Sequence, residues 1–402
     1  MGYNDVPIIL FIMILILFGI WFSLLRKYKL VKSVFFLYYA FNFLLFCGPL
    51  VYYKLGYTGY SSAISYNSMF IFQWVVLVII LLNIFFTYFI IRNNKKILYS
   101  TFYKLSFDNI HNKRLVKHFY IVIYLISILY IIIYRKYFPI SKLIEEGELG
   151  ERLDKTGAIP FYITMSAIFM VFIPSGFLYF RNLTKSKILK FLLMLFTLFC
   201  LSAGGNKGII SFFLIFYVLL VNKKQSFFKY ILLVGVLAFI YVVFKGVTEF
   251  NAQTIDYLVE SPFRRLFAAQ GSGFITRIEM MLNNEFVEGW EIKKQVYAKI
   301  YSTNIGDGSS PTHFLGDLIL KYGYFISFLI YLIYLSLMTR LLYTIGIVYR
   351  NDTKSTFILW NFFLISYLTV NSDISLANLI RFVLIFMNLY IVYYVSRVKR
   401  QI

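Results

Sequence analysis

The sequence predicts an all-α fold: a polytopic membrane bundle of about eleven spanning helices, with the N-terminus outside and the C-terminus inside. Three observations predict it. Of the 402 residues, 60% are hydrophobic and only 14% charged, too little polar surface to cover a soluble core of that length. Apolar runs of roughly 18 to 25 residues recur along the chain, each long enough to cross about 30 Å of hydrocarbon as a helix. They do not alternate as barrel strands do, and a segment in lipid must satisfy its own backbone, which leaves the helix. Finally, Lys and Arg gather in alternate loops.

In chain order the spans are expected at about 7–25, 33–53, 69–91, 119–135, 161–180, 190–204, 208–222, 230–246, 324–346, 356–372 and 376–396. On the side of the loops after the first, third, fifth, seventh, ninth and last spans, adjoining span ends included, lie 24 of the 40 basic residues, with Asp108 and Asp352 as the only acids. They include Arg26 to Lys32, Arg92 to Lys117, Arg181 to Lys190, Lys223 and Lys224, and Arg397 to Arg400. The other side holds 16 basic and 16 acidic residues, so the whole formal charge of +22 lies on the first side. This is the cytoplasmic bias of positive charge, and it removes any need for a nucleic-acid partner. Residues 1–6 lack a basic leader and no small-residue cleavage site follows, so the first span is expected to be retained. Cys47 and Cys200 fall inside spans and read as small buried side chains, with no disulfide framework or metal spacing.

The chain reads as one membrane domain over residues 1–402. Segment 92–118, basic and aromatic, suits the surface of anionic lipid. Two loops are expected outside: an acidic one at 136–160, and the longest polar stretch, 247–322, where function is most expected. The latter carries Arg264, Arg265 and Arg277 among Glu279, Glu285, Glu288 and Glu291. Arginine's planar fork suits phosphate and pyrophosphate, although Arg–Glu pairing on a solvated helix gives the same composition. Asp317 and Lys321, four apart, are placed to pair on one helix face. His313, the one histidine expected outside, offers a near-neutral base at a polar–apolar boundary, or a structural ring. Lys207, at the turn Gly204 to Gly208, either snorkels to headgroups or meets an anion. Arg381, inside the last span, either pairs with Asp373 or serves a polar site. No phosphate-binding glycine loop, zinc helix or nucleophile elbow occurs, so no cofactor or metal is expected.

Taken together, these features resemble the bacterial O-antigen and capsule repeat-unit polymerases, with the O-antigen ligases as more distant relatives. Gly205-Asn206-Lys207-Gly208 looks like the family's Gly-Ser-Arg-Gly turn, with Lys for Arg. The Arg264, Arg265 and Arg277 region looks like its arginine-bearing outer loop. Ser310-Pro311-Thr312-His313 through Gly316 and Gly323 looks like the lead into the following span. In the ligases a Glu follows the His by eight residues; Lys321 stands there in this chain, while Gly323 keeps the next match. The resemblance implies a GT-C-like, metal-independent, inverting glycosyltransferase of the bacterial inner membrane, working on its outer face. Its substrates would be oligosaccharides on undecaprenyl pyrophosphate, with membrane lipids and a chain-length regulator protein as further partners. Arg264, Arg265, Arg277, Lys207 and Arg381 would hold the pyrophosphate, and His313 or Glu279 would be the base. Trp290, Tyr257, Tyr297 and Tyr301 are placed to stack on sugars or to anchor at the interface. A lipid-linked oligosaccharide flippase is the main rival, but it needs no 70-residue outer loop and is usually built on repeats, of which none is seen.

Overall fold

The computed structural model describes residues 8–31, 33–54, 64–93, 105–110, 112–138, 159–203, 207–221, 270–305, 310, 312–350, 352, 354–371 and 376–397. Among them there are helices and turns and no strand. The helices are α1 (Ile8–Lys27), α2 (Val34–Lys54), α3 (Tyr66–Arg92), α4 (Lys113–Ile133), α5 (Tyr162–Leu183) and α6 (Lys187–Ala203). They continue with α7 (Lys207–Phe216, extended by a π turn at Tyr217–Val221), α8 (Gln270–Leu282), α9 (Ile292–Tyr301), α10 (Phe314–Val348), α11 (Thr356–Asn371) and α12 (Leu376–Arg397). Seven of them, α1 to α5, α10 and α12, are long and apolar enough to cross a membrane. Three other expected spans correspond to the shorter α6, α7 with its π turn, and α11. The expected span at 230–246 lies outside the described residues.

Seven such helices are compatible with a multi-pass membrane protein, and their outer faces agree with that. In α1 the buried residues Leu10, Ile14, Phe18, Trp21 and Leu25 form one stripe, three or four apart. The rest of that helix is apolar too, with Ile8, Ile12 and Ile16 exposed. Along α10 and α12, Phe325, Ile333, Leu337, Val383 and Tyr390 are likewise exposed. Faces of this kind are a liability in water and ordinary in lipid. Both Cys47 and Cys200 are buried free thiols.

The chain divides into two compact units, interleaved in sequence. Unit one takes the described residues within 1–97, 259–347 and 366–375, and unit two takes the remainder. In unit one, α1 packs along α3, where Trp21 Nε1 donates to Thr87 Oγ1 at 3.2 Å. Helix α8 packs on α2 and α3. Pro49 inside α2 has no N–H to give the Leu45 carbonyl, and Gly271 of α8 lies against both residues. A Cβ at Gly271 would run into the Pro49 ring and come 2.6 Å from the Leu45 oxygen. Small residues of this kind let backbones approach in a bilayer.

Unit two shows the same device with a different solution. Pro174 interrupts the hydrogen bonding of α5 without ending the helix, and the Met170 carbonyl it frees accepts from Trp360 Nε1 at 3.0 Å. One residue on, Ser175 Oγ accepts from Asn361 Nδ2 (3.2 Å) and Asn388 Nδ2 (3.1 Å). Asn388 Nδ2 also donates to Asn361 Oδ1 at 3.0 Å, and Tyr120 donates to Asn388 Oδ1 at 3.1 Å. These four buried side chains come from α4, α5, α11 and α12, and they close a polar knot inside the unit. At one end of this unit three basic stretches meet. Tyr179 donates to the Lys113 carbonyl, Asn182 to the Lys354 carbonyl, and the Phe107 N–H to Ser355 Oγ. Lys354 pairs there with Asp108 at 2.9 Å.

The knot generates a prediction. Asn388→Leu removes the shared partner and leaves Tyr120, Ser175 and Asn361 short of bonds. The expected cost is about 1–3 kcal/mol, read as a lower melting midpoint of the detergent-solubilised protein. An unchanged midpoint counts against the knot as a stabilising element.

Candidate functional site

Residues 270–322, expected as a polar loop, are instead largely helical where described. Helix α8 is buried from Gly271 to Ile278, and at its centre lies Arg277, with no exposure at all. A buried guanidinium requires its donors filled. Nε donates to Asp317 Oδ1 at 2.6 Å, Nη1 to the Gly273 carbonyl at 2.8 Å and Nη2 to the Ser310 carbonyl at 3.1 Å. Two glycines make room. A Cβ at Gly273 would fall 2.7 Å from Ser310 Oγ, and one at Gly316 would fall 3.0 Å from Arg277 Cδ. Ser310 is anchored in turn by donating its N–H to the Lys293 carbonyl at the start of α9. One arginine therefore ties α8, α9 and α10 together. This corrects the expected Asp317–Lys321 pairing: the carboxylate turns to the buried arginine, where its charge is needed most.

Glu279 is also engaged. Its Oε2 accepts from the backbone N–H (3.1 Å) and hydroxyl of Ser65, the N-cap of α3, and its Oε1 from Asn283 Nδ2 (3.2 Å). Partial burial pushes its carboxyl up, but the bonds from Ser65, Ser68 and Asn283 outweigh it and hold the group below the ordinary carboxylate value. A carboxylate beside the first turn of a helix also meets the positive end of the helix dipole. His313 is fully buried and N-caps α10, with Nδ1 accepting from the Leu315 N–H at 3.1 Å. Burial pushes it down to about 3. The expected near-neutral base at a boundary is therefore a neutral ring in an aromatic surround of Phe46, Phe314 and Tyr331.

Outside the Arg277–Asp317 pair opens a cleft of about 690 Å³. One wall is the loop 286–292, and the other is the first segment of α10, Asp317 to Tyr322. Gly289 holds φ at 92° in the loop, a left-handed conformation that suits glycine. Gln295 of α9 pins the same loop, bonding Val287 N and O and the Trp290 carbonyl at 3.0, 2.8 and 3.1 Å. On the facing wall, α10 breaks at Gly323, where φ 70° and ψ −177° lie in a region open essentially to glycine alone. The cleft presents Trp290 and Tyr322, both about half exposed, with Glu288, Glu291 and Lys321. Glu291 is paired with Lys294 at 3.4 Å. Lys321 has no ion-pair partner among the described residues.

Of the site residues expected from sequence, none of Arg277, Glu279 and His313 is among the lining residues; Arg277 reaches the cleft only through its bond to Asp317, which does line it. Arg381 lies on α12 in unit two, its Nη1 donating to Asn378 Oδ1 at 2.6 Å. Arg264, Arg265 and Asp373 lie outside the described residues, as does the side chain of Lys207, whose backbone starts α7. Among the described residues no group of three His, Cys, Asp or Glu is placed to hold a metal ion. Sequence reading named Glu288 and Glu291 only as loop residues, Trp290 as a ring placed to stack on sugars or to anchor at the interface, and Lys321 as a partner for Asp317 and as the residue standing where the ligases carry Glu. The signal that assembles them is the Arg277–Asp317 bond, which spans 40 positions and leaves no local spacing to find.

Two predictions follow from these bonds. Asp317→Ala leaves a buried guanidinium uncompensated and should cost about 3–5 kcal/mol, whereas Arg277→Met with Asp317→Leu should recover much of it, as read by thermal unfolding in detergent. For His313 the folded chain binds its proton less readily than the unfolded chain. Its contribution to stability is therefore complete above about pH 6.5 and is lost as pH falls from there towards about 3. His313→Gln should flatten that part of the stability profile, and an identical slope in the variant would refute the assignment. Comparison with protein-family models, curated protein sequences and solved structures finds no match to this chain.

Proposed function

We propose that the chain is a membrane glycosyltransferase that polymerises lipid-linked oligosaccharide repeat units, and that a sugar of the substrate sits in the cleft beside α10. The observation that carries this reading is the lining. Trp290 and Tyr322 offer half-exposed rings of the amphipathic kind that stack on sugar faces. Glu288 and Glu291 offer carboxylates that accept from hydroxyls. Lys321 offers a cation with no ion-pair partner among the described residues, suited to the phosphate of a lipid carrier. The concave, mixed apolar and polar character is that of a small-molecule site.

In this reading an acceptor hydroxyl attacks the anomeric carbon from the side opposite the pyrophosphate. A carbon–oxygen bond forms to the acceptor as the bond to the pyrophosphate breaks, and the proton passes to Glu288 or Glu291. The carboxylate role moves to these two because Glu279 serves the start of α3 and His313 is a buried helix cap. Arg277 becomes a positioning residue, its donors filled by Asp317, Gly273 and Ser310. The developing charge on the leaving group calls for fixed cations; Lys321 is one, and Arg264, Arg265, Lys207 and Arg381 stay as candidates for the rest. The cleft would face away from the cytoplasm, in keeping with the charge asymmetry of the loops.

Deleting the gene should collapse a surface-glycan ladder to a core carrying one repeat unit. Complete loss of repeats would indicate a flippase or ligase, and an unchanged ladder would sink the glycan reading. Trp290→Ala and Lys321→Ala should each shorten or abolish the ladder at normal protein level. A single cysteine at Glu288 should react with a membrane-impermeant maleimide in intact cells, and one at Lys185 only after the membrane is opened. Reversed labelling would overturn the proposed orientation.

A further inference from the structure

Unit one holds a second polar feature, away from the residues that line the cleft and independent of the proposed function. The Nδ1 of His313 accepts from Leu315 N–H, so the neutral ring carries its proton on Nε2. That Nε2–H is buried and has no hydrogen-bond partner. Across from it, Tyr38, Asn42 and Phe46 follow one another at four-residue spacing along one face of α2. Phe46 meets the His313 ring at 5.8 Å, and Tyr38 stands beside Tyr331 and Tyr334 of α10. Asn42 is thus bracketed between the histidine and the tyrosines. Tyr331 closes the group, its ring 5.8 Å from both His313 and Tyr334, and its hydroxyl accepts from Asn83 Nδ2 at 3.0 Å.

Within this group the Tyr38 hydroxyl, the Tyr334 hydroxyl, Asn42 Oδ1 and Asn83 Oδ1 are buried without a hydrogen bond of good geometry, as is His313 Nε2, although Tyr38 lies close to Tyr334, Tyr331 and Asn42, and Tyr334 close to Thr369. Unpaired polar atoms are costly in a protein interior and are rarely left so. Several in one place, donors and acceptors together, are what buried water needs, since each molecule uses two to four polar partners. The equally buried knot of unit two has no such surplus, because its Tyr120, Ser175, Asn361 and Asn388 bond one another directly.

We propose that Tyr38, Asn42, His313, Tyr331 and Tyr334 form a buried hydration site, in which water joins His313 Nε2–H to the side chains of α2 and α10. Radiolytic footprinting of the whole protein in detergent with ¹⁸O-labelled water tests it, because side chains shielded from bulk solvent are oxidised when bound water lies beside them. Tyr38 and His313 should incorporate ¹⁸O, whereas Trp21 and Trp360, equally shielded, should not. Labelling of Tyr38 and His313 no greater than that of the two tryptophans overturns the proposal. In Tyr38→Phe and Asn42→Leu the labelling of His313 should fall or vanish. If both variants fold and label His313 as the parent does, water is not held by this cluster and the proposal fails. The melting midpoint gives a separate reading: Tyr38→Phe should lower it at a hydrated site, and an unchanged or raised midpoint marks a dry one and also overturns the proposal.

Discussion

The arrangement of unit one turns on a guanidinium with no exposure to solvent. Once Arg277 is buried, its three nitrogens must be met from within, and each recruits a different piece of chain: Asp317 from the start of α10, a carbonyl from its own helix, and Ser310 from the approach to α10. Ser310 then draws in α9 through the Lys293 carbonyl. A lysine in that position would be a point charge without the fork that reaches several acceptors in fixed directions. Of the two walls of the cleft, the arginine fixes the start of α10 through Asp317, and Gln295 pins the loop opposite.

Prolines in spanning helices set a second constraint, and the two units answer it differently. At Pro49 the uncovered carbonyl region is approached by Gly271, so the solution is close packing. At Pro174 the uncovered carbonyl receives an indole N–H from Trp360, so the solution is a hydrogen bond. The second meets the rule that backbone polar groups in an apolar medium are satisfied from within the protein, while the first brings two backbones together at the interrupted turn. The tyrosine and asparagine clusters belong to the same economy of bonds, closed in unit two and left open for water in unit one.

Much of the helical framework was legible in the sequence because hydropathy is a sum over many residues and tolerates local error. The seven long apolar helices fall on expected spans, and the expected start at 324 coincides with the break at Gly323. The site was less legible. Local spacing suggested Asp317 with Lys321, four residues apart on one face, but an exposed pair of that kind is worth little, and a buried arginine 40 positions away has the larger claim. For His313 the sequence offers only a polar–apolar boundary. Whether the ring faces water or Phe46, Phe314 and Tyr331 depends on how α2 and α10 pack. Polar composition likewise suggested a loop at 247–322, because α8 and α9 are too weakly apolar to announce themselves.

The break at Gly323 has a consequence for how α10 can vary. A continuous helix fixes the angular position of every residue relative to every other, so an inserted or deleted residue rotates all that follows. Here the winding is interrupted, and the short segment bordering the cleft and the long segment running along the bundle keep separate phases. Changes in the first are not transmitted as a rotation of the second. A length change in the portion bordering the cleft can therefore leave the periodicity of the membrane-length portion intact, with Gly323 as the residue that absorbs the difference.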